Sequence, residues 1–146
     1  MRTMIVAAIL LSANAHPALS VEDYDACLTL IATDAETAVR EAGEWARFAE
    51  GGAAARHCYA LALIEIGARS RAIDELLGIA AEESGLDDPA RADILVQAGE
   101  LLIEEGDTFT AEVVSVQALR ILPNGSGPLG LRATVQIAKS DYSGAV

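Results

Sequence analysis

The sequence predicts an all-α protein, an α-solenoid built of antiparallel helix pairs. Three observations carry this. The composition is rich in Ala, Leu, Ile and Val with only 4% aromatic residues, which favours helix over strand. Apolar residues fall at the spacing of helical faces. A short turn followed by an alanine recurs four times along the chain, the mark of a repeat architecture.

At 146 residues the chain is long enough for one domain with a real core. It opens with a separate segment. Arg2 supplies one positive charge, residues 5–11 are apolar, and Ala13-Asn14-Ala15 and Ala18-Leu19-Ser20 offer small residues where a signal peptidase reads. Residues 1–20 therefore read as a signal peptide cut after Ser20, with Ala15 as the second position, and residues 21–146 as an exported domain, periplasmic or secreted. The apolar run is too short for a bilayer, which needs roughly 20 apolar residues, and no other segment qualifies, so no membrane span is expected after signal removal.

The repeat sets the elements. Thr33–Ala38, Gly67–Ala72, Gly106–Ala111 and Ser140–Ala145 each run from a small residue through a short turn to alanine. The four alanines Ala38, Ala72, Ala111 and Ala145 lie 34, 39 and 34 residues apart, and twelve residues before each stands another small residue: Ala26, Ala60, Gly99 and Ala133. This divides the chain into units of about 22–49, 53–86, 92–125 and an incomplete 126–146. The second unit predicts helices over 53–66 and 69–83, broken at Gly67, and then a loop over 84–89 that holds the five extra residues of the longer interval. In the third, Ile94, Leu95, Ala98, Leu101 and Leu102 mark a helix from Asp93 to Glu105. Gly106 stops it, Asp107 is placed to cap the next, and that helix runs from Thr108 to Ile121 before Pro123-Asn124-Gly125 closes it. A last helix is expected over 127–139 without its partner: either the sequence ends early or its open side docks on something.

These residues resemble tetratricopeptide repeat proteins. The unit from Ala92 to Gly125 is the best match, with Leu95, Gly99, Gly106-Asp107, Ala111, Ala118 and Pro123 at the family's positions. The unit from Ala53 keeps Ala60, Gly67, Ala72 and Leu76 but has Arg56 where a large apolar residue is usual. The first unit is degenerate yet keeps Ala26, Ala38 and Trp45; the last has Leu129, Ala133, Asp141-Tyr142 and Ala145, with Arg132 as its departure. The resemblance implies a right-handed superhelical array. In it the small residues sit where helices cross at about 8–10 Å, Ala60 facing Ala72 and Gly99 facing Ala111.

The chain offers little for catalysis. Its two histidines are His16, at the edge of the signal segment, and His57. His57 adjoins Cys58, but neighbours on a helix point about 100° apart and do not readily share a proton or a metal. Cys27, Cys58 and His57 lack an evident fourth ligand for zinc, and no phosphate loop, dinucleotide fingerprint or nucleophile elbow occurs. No metal, cofactor or enzymatic activity is expected. With 10 basic against 22 acidic residues and a net charge of −12, nucleic acid is an unfavourable partner.

In an exported protein the even pair Cys27 and Cys58 reads first as a disulfide, and second as free or metal-bound thiols. The repeat register favours the disulfide, because both cysteines fall in first helices of adjacent units, which the family sets side by side. The resemblance also implies a concave groove lined by His57, Leu61, Ile64, Glu65, Asp93, Val96, Glu100, Ile103 and Glu104. Apolar residues flanked by acids suit a protein or peptide partner that is apolar and basic; the competing expectation is that Leu61, Ile64 and Ile103 belong to the core. The function expected is a non-catalytic interaction or assembly module of the cell envelope. The alternative is an accessory or regulatory domain of a larger exported protein or enzyme.

Overall fold

The computed structural model describes residues 23–48, 51–82 and 85–144. The expected signal peptide, Ala145 and Val146 lie outside these residues. Seven helices and no strand are found among the described residues: α1 (Tyr24–Thr33), α2 (Ala35–Phe48), α3 (Gly52–Glu65), α4 (Arg69–Glu82), α5 (Asp88–Glu104), α6 (Thr108–Ile121) and α7 (Ser126–Gly144). None of these helices is long and apolar enough to cross a membrane.

The turns follow from single residues. Gly67 and Gly106 have φ of 79° and 82°, a left-handed conformation that a Cβ disfavours. Each closes its helix with the same pair of bonds: Gly67 N–H donates to Ile64 and Ala68 N–H to Leu63, while Gly106 N–H donates to Ile103 and Asp107 N–H to Leu102. The α1–α2 turn has no glycine. There the Asp34 carboxylate accepts from the Thr37 N–H at 3.0 Å, a side-chain cap in place of a backbone one.

The helix expected from Thr108 to Ile121 has those bounds, whereas α5 begins at Asp88, five residues before the expected start at Asp93. Asp87 accepts from the Ala90 N–H at 2.8 Å and Pro89 stands in the first turn, where its missing N–H does no harm. The acidic stretch before Asp93 is thus a helix start and not a loop. Arg91, on this added turn, donates to the Ala80 carbonyl near the end of α4.

Each helix packs on its chain neighbour; α1 also touches α3, and α5 touches α7. Two apolar clusters result. The smaller joins Cys27 and Leu30 of α1 to Ala38 and Ala42 of α2 and to Cys58 and Ala62 of α3. The larger runs from Ala60 and Leu63 through Leu76 and Ile79, Leu95 and Leu102, and Ala111 and Val114 to Leu131 and Val135. Cys27 and Cys58 are fully buried at disulfide distance, their Cα atoms 6.3 Å apart.

Ala38, Ala60, Ala72, Gly99 and Ala111 are buried as crossing positions should be. Two expected packing residues are not. Ala26 is exposed, because Cys27 and Leu30 set the buried stripe of α1 one residue further on. Ala133 is exposed too: α7 turns Leu131 and Val135 inward, i and i+4 on one face, and leaves Leu129 and Ile137 outside. Gly99 was expected against Ala111, but the nearest atoms to a Cβ built there belong to Leu131, at 2.5 Å.

Candidate functional site

The gap between α3 and α5 is the feature that positions the site. No Cα of α3 comes within 8 Å of one in α5, although both pack on α4. A cleft of about 480 Å³ lies there, with Ala53, Ala54 and His57 from α3, Ala90, Asp93, Ile94 and Gln97 from α5, and Tyr24 and Leu86 at its margins. Alanines at 53, 54 and 90 keep the walls short and the cleft open.

His57 spans the gap. Its Nδ1 lies 2.6 Å from the Tyr24 hydroxyl and its Nε2 lies 2.8 Å from Gln97 Oε1. A carbonyl oxygen only accepts, so Nε2–H donates to Gln97, and with that tautomer the Tyr24 hydroxyl donates to Nδ1. The Tyr24 and His57 rings are stacked, with centroids 5.8 Å apart. Burial pushes the Tyr24 phenol above its ordinary pKa, which keeps the donor protonated. With both ring nitrogens engaged, His57 links α1, α3 and α5. Cys58, its neighbour, is turned to Cys27.

The nine residues expected to line one groove divide into three sets. His57 and Asp93 share the cleft. Ile64, Val96 and Ile103 pack, half-buried, against the larger core cluster, and Leu61 is half-buried as well. Glu65, Glu100 and Glu104 are exposed, Glu104 being paired with Arg69 at 3.5 Å. Asp93 also borders the first turn of α7: a Cβ at Gly127 would stand 3.7 Å from its Oδ1. A carboxylate there is favoured by the N-terminal end of the helix. Tyr24 and Gln97, which hold His57, were not anticipated; Gln97 follows Asp93 by one helical turn, the only signal of its place.

A second polar concentration also escaped the sequence. Arg56, expected as a misfit at an apolar position, is largely buried and donates to Glu75 at 2.5 Å and Glu82 at 3.1 Å across the α3–α4 pair. Arg132, the other departure, pairs with Glu112 at 3.3 Å, and Lys139 bonds the same carboxylate. The Lys139 hydrogen bond foremost, with the nearby Arg132 charge, holds Glu112 below its ordinary pKa. Among the described residues no group of three or more His, Cys, Asp or Glu side chains is gathered as a metal site.

Comparison with protein-family models, with curated proteins and with solved structures gave no match.

Proposed function

We propose that the chain is a non-catalytic interaction module: a tetratricopeptide-like α-solenoid of antiparallel helix pairs that takes a partner peptide between α3 and α5. The single observation that supports this reading is the cleft across which those two helices make no backbone contact, walled by alanines and Ile94 and edged by Asp93. Such a slot accepts apolar side chains, while Asp93 and the exposed Glu100 two turns along α5 favour a basic residue beside them. The partner class is therefore an apolar, basic segment of a protein. The net charge of −12 makes nucleic acid a poor alternative.

The module works outside the cytoplasm in this reading. A buried cysteine pair at disulfide distance suits an oxidising compartment, and the N-terminal segment has the composition of an export signal.

Fluorescence anisotropy against a panel of apolar peptides carrying Lys, Glu or neither tests the proposal. The Lys-bearing peptides bind, and Asp93→Lys with Glu100→Lys weakens them by about tenfold or more while leaving the helical circular dichroism intact. Equal binding of all three classes, or indifference to the reversal, refutes it.

A further inference from the structure

The chain carries ten basic residues, and four of them meet in one place. Arg40 and Arg47 from α2, Arg56 from α3 and Arg71 from α4 line a cleft of about 450 Å³ on a different face of α3 from His57. Tyr59 and the single carboxylate Glu75 complete its polar wall, and Val39 and Ala46 give it an apolar side.

Acids outnumber bases by more than two to one, so an arginine on this surface has carboxylates to spare. Two of these guanidinium groups are nevertheless held by neutral partners. Arg47 donates its Nε–H to the Gly43 carbonyl of its own helix at 3.0 Å, and its guanidinium carbon stands 5.5 Å from the centre of the Phe48 ring. Arg71 donates to the Tyr59 hydroxyl and lies 5.9 Å over that ring. Among the described residues neither has a carboxylate within 4.0 Å. Glu75, the one acid in the cleft, is already bonded to Arg56, and Arg40 is joined to its sequence neighbour Glu41. The cleft therefore presents two guanidinium groups, Arg47 and Arg71, fixed in orientation and without a carboxylate partner among the described residues.

The floor is made by Gly43. A Cβ there would sit 3.3 Å from Tyr59 Cε2 and 3.9 Å from Arg47 Nη2, so the ring and the guanidinium close over the same bare stretch of α2. At physiological salt the Debye length is about 8 Å, so the scattered acids elsewhere repel an anion weakly once it touches the guanidinium groups. Planar guanidinium forks match the paired oxygens of carboxylate and phosphate.

We infer that the cleft between α2, α3 and α4 binds a small organic oxyanion, a carboxylate or phosphate on a compact apolar body. The oxygens meet Arg47 and Arg71, and the body lies along Tyr59, Val39 and Ala46. The volume is that of a small-molecule site, for which about 300–1,000 Å³ is usual.

Titration calorimetry on the full chain tests this, with phenyl phosphate and benzoate as probes and phenol as the uncharged control. At least one anion binds saturably and phenol does not; which anion binds more tightly assigns the headgroup. Arg47→Gln and Arg71→Gln each weaken binding about tenfold, and Arg47→Lys retains more of it than Arg47→Gln. Arg69→Gln, whose partners Glu104 and Glu105 lie outside the cleft, leaves it unchanged. Both altered arginines are exposed, and matching circular dichroism verifies that the variants fold. Absence of saturable binding by either anion, or an equal loss in Arg69→Gln, overturns the proposal.

Discussion

Adding one methyl group at Gly99 puts two opposing effects on the same residue. In a helix interior alanine is better than glycine by about 1 kcal/mol. The new methyl, however, would stand 2.5 Å and 2.9 Å from the two δ carbons of Leu131 and 3.2 Å from its γ carbon. Leu131 is 2% exposed and has no solvent to swing into, so α7 must shift or the leucine must leave its rotamer. Overpacking of this kind costs about 1–3 kcal/mol, which exceeds the propensity gain and leaves Gly99→Ala destabilised by about 1 kcal/mol. Gly130→Ala is the matched control. Gly130 is exposed on α7 and a Cβ there has no neighbour within 4 Å, so the same change keeps the whole gain of about 1 kcal/mol. Urea unfolding followed by circular dichroism should therefore move the two midpoints in opposite directions, with a gap of about 2 kcal/mol. In a double-mutant cycle, Leu131→Ala should make Gly99→Ala less harmful. If Gly99→Ala stabilises as much as Gly130→Ala, and the two changes at 99 and 131 add independently, the α5–α7 packing derived above is wrong.

Two further outcomes are expected. Replacing Cys27 and Cys58 by alanine, or reducing the oxidised protein, removes a link across 31 residues that is worth about 3–4 kcal/mol in the chain-entropy model, lowering Tm by on the order of 10 °C; a melt insensitive to reductant contradicts the bond. Asp34 is held below the ordinary carboxylate pKa mainly by the Thr37 backbone N–H, and Asp107 mainly by the Thr110 hydroxyl, so their contribution is full above the unfolded value and is lost as pH falls through the depressed one. Acid unfolding should accordingly shift less steeply with pH in Asp34→Asn with Asp107→Asn than in the parent, and identical acid limbs would remove these caps from the account.

Where the sequence carried a strong local signal, the helices are where it put them. Gly67 and Gly106 mark their turns because the left-handed conformation leaves few other residues able to do so. Asp107 and the bounds of α6 were legible for the same reason: capping chemistry is local. The start of α5 was misread because Asp87, Asp88 and Pro89 suit a loop or a first helical turn equally well on composition, and the hydrogen bond to Ala90 decides between them. Register at the two ends failed differently. Alanine is so common that a spacing of small residues is matched by Ala26 and Ala133 whichever face is inward, while burial follows the larger Leu30, Leu131 and Val135.

The candidate sites were less legible than the helices. His57 and Asp93 could be placed near each other from a repeat register, but the bridge from Tyr24 to Gln97 joins residues 73 positions apart, and no periodicity announces it. The arginine cleft was hidden by a net charge of −12, a sum that discards position. Arg40 and Arg47 are two helical turns apart on one face, and Arg56 and Arg71 reach them only after three helices have packed.

The packing order of the helices bears on how the chain reaches this state. Among the described residues no helix touches one more distant than the next but one, so most tertiary contacts there close short segments of chain. Loop-closure entropy rises with segment length, and proteins whose contacts are local fold toward the fast end of the range, in microseconds to milliseconds. The seven described helices can be gathered in sequence, each new one needing only the two before it.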